Sequence, residues 1–248
     1  MSLPAAFTLA RLDETPSTNA EALRLAERGA DDLTLVWART QSSGRGRLGR
    51  AWVSPPGNLY CSLVLRLDPD GPPPATLSLV AALAAAEAAE SLLPGLARAE
   101  VKWVNDVMIG GRKVSGSLAE RGAGDALVLG IGINVAHAPD LTGGPYEATS
   151  LAACGAEAGV EEALAALGHR LLSRLTTWRA GGFAPLRAPY EERMWRLGLP
   201  IRVGLDAERR TTAKGTNGGV DEDGRLRLEL PDGRTRLLHA GDVLAGRG

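Results

Sequence analysis

The most chemically loaded segment of the chain is Gln41-Ser42-Ser43-Gly44-Arg45-Gly46-Arg47-Leu48-Gly49-Arg50-Ala51-Trp52. Its glycines let the backbone approach a ligand closely. Interleaved with them and directly after the last stand Arg45, Arg47 and Arg50, whose guanidinium groups are planar forks suited to phosphate and carboxylate oxygens. Strand-like runs before and after the segment hold both of its ends, as in an anion-gripping loop on a rigid scaffold. It is not the usual phosphate loop, because no Gly-Lys-Ser/Thr closes it and no helix follows at once. Taken alone, such a segment reads first as a solvated basic loop or an arginine–glycine RNA-binding patch. The strand patterning on both sides argues against the RNA reading.

Other reactive groups are sparse. No Ser/His/Asp or Cys/His constellation is recognisable, so nothing points to a covalent enzyme intermediate. His137, His169 and His239 are scattered, and no metal-ligand spacing is visible. Cys61 and Cys154 read as reduced, packed thiols of a cytoplasmic protein. The 248 residues carry 28 basic and 29 acidic side chains, a formal net charge of -1. That balance argues against a general nucleic-acid binder while leaving room for a local cation cluster inside a site. Hydrophobic residues make up 44% of the chain, enough for a sizeable core. The N-terminus lacks the order of a signal peptide. The most apolar segment, Thr76 to Leu93, is interrupted by Glu87 and Glu90 and predicts a buried helix, not a membrane span.

The elements that must position these groups follow from periodicity. Phe7 to Leu12 reads as a strand, and Thr18 with Glu21 has capping-box spacing for a helix ending near Gly29. Leu33 to Ala38 is a buried strand. Leu59 to Leu67 alternates with period two. Ala75 to Leu93 is an alanine-rich helix, and Val101 to Val104 is a strand turning at Asn105-Asp106. Val107 to Ile109 and Lys113 to Glu120 form a hairpin around Gly110-Gly111, and Ala126 to Ile133 is a further strand. Val160, Leu164, Leu167, Leu171, Leu175 and Trp178 share one helix face, and another helix is predicted over Pro185 to Arg196. From Gly198 onward, five short β segments with tight turns suggest a small barrel. The fold class is therefore α+β, a mixed sheet with helices over 1–197, followed by a small all-β domain over 198–248.

Six segments together resemble the biotin–protein ligases. The glycine–arginine loop is similar to that family's signature. Ser17-Thr18-Asn19 resembles its Ser-Thr-Asn turn, and Lys102-Trp103-Val104-Asn105-Asp106 its Lys-Trp-Pro-Asn-Asp strand end. Arg112-Lys113-Val114-Ser115-Gly116 resembles the segment bearing its essential lysine. Gly130-Ile131-Gly132-Ile133-Asn134-Val135 matches a family strand, and Gly219-Val220-Asp221-Glu222-Asp223-Gly224 resembles a hairpin of its C-terminal barrel. The segments occur in the family's order across nearly the whole chain. The resemblance implies a class II synthetase-like catalytic domain. Two positions depart: Val104 stands where proline is usual, adding a backbone N–H that needs a partner, and Ser117 stands where an apolar residue is usual. No helix-turn-helix segment precedes the first strand, so the resemblance is to the monofunctional type without DNA binding.

The implied reaction has two steps. Biotin's carboxylate attacks the α-phosphate of ATP, giving biotinyl-5'-AMP and pyrophosphate; a lysine of a biotin carboxyl carrier protein then attacks the mixed anhydride. Two anions meet in the first step, so fixed cations are needed there. The resemblance assigns Arg45, Arg47 and Lys113 to that point and Arg50 to the ATP phosphates. It assigns Ser17, Thr18, Asn19 and Gln41, with the backbone at Arg45, Gly46 and Arg47, to biotin's uncharged head. Trp52, Asn105 and Asn134 go to the nucleotide. The alternatives are a capping role for Ser17 and Thr18, a core role for Trp52 and an exposed hairpin position for Lys113. Asp106 has three readings: acceptor of the carrier amine's proton, Mg²⁺ ligand beside the phosphates, or an Asx turn. Mg²⁺ is expected with ATP, its ligands unassigned; a homodimer is left open, and neither DNA nor a membrane is an expected partner. The competing functions are a lipoate–protein ligase, whose Arg-Arg-x-Ser-Gly-Gly-Gly loop is not found here, and a non-enzymatic biotin-sensing regulator.

Overall fold

The computed structural model describes residues 2–140, 146–206 and 208–245. A seven-stranded sheet forms the larger part, in the order β1 (Thr8–Thr15), β2 (Thr34–Gln41), β3 (Leu59–Arg66), β7 (Ala126–Ile133), β6 (Arg112–Arg121), β5 (Asp106–Ile109), β4 (Glu100–Lys102). Only β1 and β2 pair in parallel, joined by helix α1 (Thr18–Glu27); every other neighbour is antiparallel. Helices α2 (Leu77–Leu92) and α3 (Val160–Gly181) stack together on the face opposite α1.

Period-two alternation in β3 explains the two layers. Leu59, Cys61, Leu63 and Leu65 belong to the core under α2 and α3, while Val64 packs with Val36 and Val128 against Ala22 and Ala26 of α1. Both faces are covered, so the strand is buried along its length. The apolar α2 lies in this core. Its length and composition would suffice to cross a membrane, but its one buried charge, Glu87, is met by Arg174 of α3, with Nε 2.9 Å from Oε2. The Glu87 that interrupts the apolar run thus marks a helix–helix contact.

Several boundaries differ from expectation. Strand β1 runs to Thr15 because its parallel pairing with β2 continues to Gln41. The capping box at Thr18 does not form. Ser17 is the N-cap residue without a side-chain cap, and Glu21 pairs with Arg24 instead. The Thr18 hydroxyl is drawn away to Gln41 across the sheet edge. The helix expected to reach Arg196 ends as α4 (Ala184–Glu191), because the chain after it runs beside β4: Val101 N donates to Arg193 O and Trp195 N to Val101 O. The Trp103–Val104 peptide is cis, and Val104 is half-buried against the main core. Ser117 is buried, and its hydroxyl donates to Ser78 O at 3.4 Å.

The five C-terminal segments form an antiparallel sheet in the order β11 (Thr235–Leu238), β10 (Leu226–Glu229), β9 (Thr212–Val220), β8 (Pro200–Gly204), β12 (Asp242–Ala245). Among the described residues β11 and β12 are not paired. This sheet docks on the larger one through directed contacts. Buried Trp103 donates Nε1 to Gly224 O at 2.9 Å, Val220 N donates to Glu191 Oε1 at 2.9 Å, and Lys102 reaches Asp242.

Leu83 of α2 is fully buried, whereas Leu96 is 99% exposed. Leu83→Ala should cost about 2–5 kcal/mol by lost transfer energy and cavity formation, and Leu96→Ala less than about 0.5 kcal/mol. Urea unfolding midpoints check both; a similar cost at the two sites would contradict the packing described.

Candidate active site

The registers of five antiparallel strands bring Tyr60, Gly132, Gly116, Asp106 and Lys102 into one cross-strand row, with Ala38 continuing it on β2. The next row on the same face is Val36, Ser62, Gly130 and Leu118. Two of these glycines are required by close approach. A Cβ on Gly130 would lie 2.0 Å from Asn19 Oδ1, and one on Gly132 would lie 2.6 Å from the Trp52 ring. The glycines pave the floor of a cavity of about 620 Å³.

Each sequence-derived candidate lines this cavity. At one end the start of α1 presents Ser17, Thr18 and Asn19, all buried. Gln41 Oε1 accepts hydrogen bonds from Thr18 N (2.8 Å) and Thr18 Oγ1 (3.1 Å), and Gln41 Nε2 donates to Ser54. Ser62, which the sequence reading missed, lies 2.8 Å from Thr18 Oγ1 and 2.5 Å from Asn19 Oδ1. Asn19 Nδ2 donates to Glu120 Oε2 at 2.6 Å, fixing the amide's orientation. A polar residue at an inward position of the apolar β3 run was the available signal for Ser62. Glu120 carried none.

The glycine–arginine loop is a short hairpin. Arg45 and Ala51 pair across it, Gly46 N donates to Arg50 O at 2.7 Å, and Arg47–Gly49 forms the tip. Arg47 Nη1 donates to Asn105 Oδ1 at 3.0 Å, while Asn105 Nδ2 bonds Ser117 O. Trp52 lies on the floor over Gly132, with its ring 5.3 Å from Lys113 Nζ. It is not part of the buried apolar core. Asn134 is buried, and Nδ2 donates to Thr149 O at 3.0 Å.

The far end of the floor is an ionic cluster. Asp106 is buried and shared between Lys102 (2.9 Å) and Lys113 (2.5 Å), with Tyr146 donating to its Oδ2 at 3.1 Å. Lys102 also reaches Asp242 Oδ1 at 3.2 Å and stands 4.5 Å from the Tyr146 ring. Asp242 accepts from Arg209 and Arg50. Lys113 thus points inward, not out from its hairpin. Lys102 belongs to the Lys102–Asp106 strand end, to which the family resemblance assigns no role at that lysine; Arg209, Tyr146 and Asp242 carry no sequence signal, because they arrive from distant segments.

Burial alone would raise the Asp106 pKa, but the charges of Lys102 and Lys113 overcome it and hold the carboxyl well below its ordinary value. Burial likewise opposes protonation of Lys102, and Asp106, Tyr146 and Asp242 outweigh it, keeping the ammonium charged. The Tyr146 phenol is pushed up to about 12 by burial and the Asp106 charge. Burial alone lifts the Cys61 thiol to about 12, leaving it inert. Asp106 is therefore an ionised anchor for two lysines. It is a poor proton acceptor, and its side chain is engaged by lysines and a phenol, not by an Asx turn. Among the described residues no cluster of three or more His, Cys, Asp or Glu could hold a metal ion. With Asp106 and Asp242 committed to cations, this donor set does not fit a resident metal.

Comparison with known proteins agrees with this geometry. Residues 9–135 match the model of the Biotin/lipoate A/B protein ligase family, and residues 197–246 match the Biotin protein ligase C terminal domain. The chain belongs to this family. Two of its relatives are named as biotin ligases. It is 41% identical to a biotin–[acetyl-CoA-carboxylase] ligase of Paracoccus denitrificans, over 95% of this chain and 99% of that one. It is 36% identical to the Mycobacterium tuberculosis protein of the same name, over 93% and 86%. The structure superposes on the biotin protein ligase of Aquifex aeolicus in complex with biotin and ATP with a TM-score of 0.81, at 29% identity, covering 97% of this chain and 99% of that one.

A carboxyl group with a lowered folded pKa contributes stability that is present above its unfolded value and lost as pH falls through the folded one. The Asp106 contribution should be complete above about pH 4 and decline on further acidification. Asp106→Asn should cost about 3–5 kcal/mol at pH 7 by leaving buried cations undercompensated, and should flatten the acid limb of stability against pH. Urea midpoints between neutral and acid pH test this. A parental curve matched in shape by the variant would remove Asp106 from the linkage.

Proposed function

We propose that this biotin protein ligase carries out both half-reactions over the one glycine-paved floor. It converts biotin and ATP to biotinyl-5'-AMP and pyrophosphate, then transfers biotin to a specific lysine of a biotin carboxyl carrier domain. The observation that carries this reading is the polarity of the cavity. The uncharged Asn19 lies against Gly130 and the charged Lys113 against Gly116, with Gly132 of the same floor between them, while Ser17, Thr18, Gln41, Arg45 and Arg47 line the same cavity. Biotin has the matching shape: a neutral ureido head, a slim apolar arm and a terminal carboxylate.

In the first step a biotin carboxylate oxygen bonds to the α-phosphorus and pyrophosphate leaves. Lys113 and Arg47 offset the repulsion between the two anions, and Arg50 receives the outer phosphates. Asp106 acts as a positioning residue that aims Lys113. Trp52 has to leave the floor for biotin to lie along it, and its indole then walls the adenine beside Asn105 and Asn134. Mg²⁺ arrives on the ATP phosphates as part of the substrate. In the second step the carrier amine bonds to the acyl carbon and AMP departs. The same reading assigns 1–197 to catalysis and 198–248 to a C-terminal unit, with a cytoplasmic location and no DNA or membrane partner. A homodimer is compatible with it. A lipoate ligase is not favoured, since the relatives are biotin ligases.

ATP–pyrophosphate exchange tests the reading: exchange should require biotin and should not be supported by lipoate. Exchange that proceeds without biotin would overturn it. Lys113→Ala should lower the exchange rate by about 10²-fold or more through loss of a cation at the reacting atoms, a far larger effect than its loss of stability, since Lys102 remains paired with Asp106. An undiminished rate would make Lys113 a bystander.

Arg47 gives a separate expectation. It spans from the hairpin tip to Asn105, closing the cavity over the meeting point of the two substrates. Arg47→Gly removes that latch and adds backbone freedom. The variant should form the adenylate but release it, so that free biotinyl-AMP accumulates and an unrelated lysine-rich protein becomes labelled. Retention equal to the parent's would shift the latch to Arg45 or Arg50.

A further inference from the structure

The ionic cluster brings four cations onto two carboxylates. Among the described residues, Lys102, Lys113, Arg50 and Arg209 share Asp106 and Asp242. Asp242 is the crowded member. Arg209 Nε lies 2.8 Å from its Oδ2, Arg50 Nη2 lies 3.3 Å from the same oxygen, and Lys102 Nζ lies 3.2 Å from Oδ1. Two guanidinium groups from opposite walls, one from the glycine–arginine hairpin and one from the C-terminal sheet, therefore converge on one oxygen beside the cavity.

The position of Arg209 is built. Its backbone is left-handed, with φ 57°. A Cβ on Gly204 would lie 2.8 Å from Arg209 Cγ, so only glycine leaves a lane for its stem. The loop bearing it is tied by Asp206, whose carboxylate accepts from Arg210 N (2.8 Å) and Thr211 N (2.6 Å), while Arg209 N donates to Asp206 O.

We propose that Arg209 binds the outer phosphates of ATP and the departing pyrophosphate together with Arg50, and that Asp242 is the resident counter-ion both arginines leave when the polyanion arrives. The inference rests on reading the cavity as an ATP site. Asp242 does not then repel the phosphates, because buried Lys102 stays on its other oxygen. An incoming pyrophosphate group offers both arginines replacement oxygens, and the fork of each arginine suits them. Bridged in this way, the triphosphate takes over from Asp242 as the link between the hairpin and the C-terminal sheet.

The test compares the parent, Arg209→Ala and Arg209→Gln in biotin-dependent exchange, with ATP and pyrophosphate varied separately. Biotin affinity is measured by calorimetry without nucleotide, and thermal unfolding is recorded. Both variants should raise KM for ATP and for pyrophosphate about tenfold or more, the loss of a charged hydrogen bond, with biotin affinity unchanged. Arg209→Gln keeps a stem and a neutral donor, so it separates lost charge from lost packing if the alanine variant folds poorly. Arg209→Lys should recover part of the affinity. Unchanged KM values in the glutamine variant, or an equal loss of biotin affinity, would overturn the proposal. A parent without biotin-dependent exchange would overturn the reading of the cavity itself, a distinguishable failure.

Discussion

Strand register is the constraint on which the cavity depends. Antiparallel pairing of β3, β7, β6, β5 and β4 sets Tyr60, Gly132, Gly116, Asp106 and Lys102 side by side, and a slip of one residue would turn every one of them to the opposite face. The glycines would then lie under α2 and α3, and the charges would enter an apolar core. Burial of that core on the α2 and α3 side is what holds the register. The large apolar contact area there thus maintains a narrow polar path on the other face.

The same arrangement carries an electrostatic cost. Lys102 and Asp106 are almost wholly removed from water. Such charges persist only when closely paired and hydrogen-bonded. The pairing comes from the strand end itself, from Lys113 on the neighbouring hairpin and from Asp242 on β12, which is remote in sequence. Lys102 and Lys113 are thereby fixed in place before an anion enters, the condition under which electrostatic stabilisation is most effective.

Much of this was legible in the residues. Alternation in Leu59 to Leu67 located β3, the Gly110-Gly111 turn located the β5–β6 hairpin, and the glycine–arginine segment, with its companions, brought each candidate into one cavity. Illegible were features set by pairing at a distance. Thr18 looked like a cap, because nothing local shows that Gln41, 23 positions on, would claim its hydroxyl. The Pro185 helix stopped early because residues 193 to 195 are recruited alongside β4. Arg209 sits in an unremarkable turn, and only the docking of the two sheets brings it within reach of Asp242. Local pattern fixes elements; it does not say which loop of one sheet meets which strand of the other.

The contact of Trp103 and Lys102 with Gly224 and Asp242 bears on how such a chain can be recombined. A chimera joining residues up to the start of β8 with the C-terminal sheet of a distant relative would inherit Lys102 from one parent and its counter-charge from the other. An aspartate replaced by the longer glutamate would move the carboxylate by about one methylene, and the indole's acceptor would shift with the turn that carries it. Exchange of the small sheet between lineages is therefore coupled to the strand end at Lys102. The two parts would be expected to diverge as one heritable unit despite lying more than a hundred residues apart.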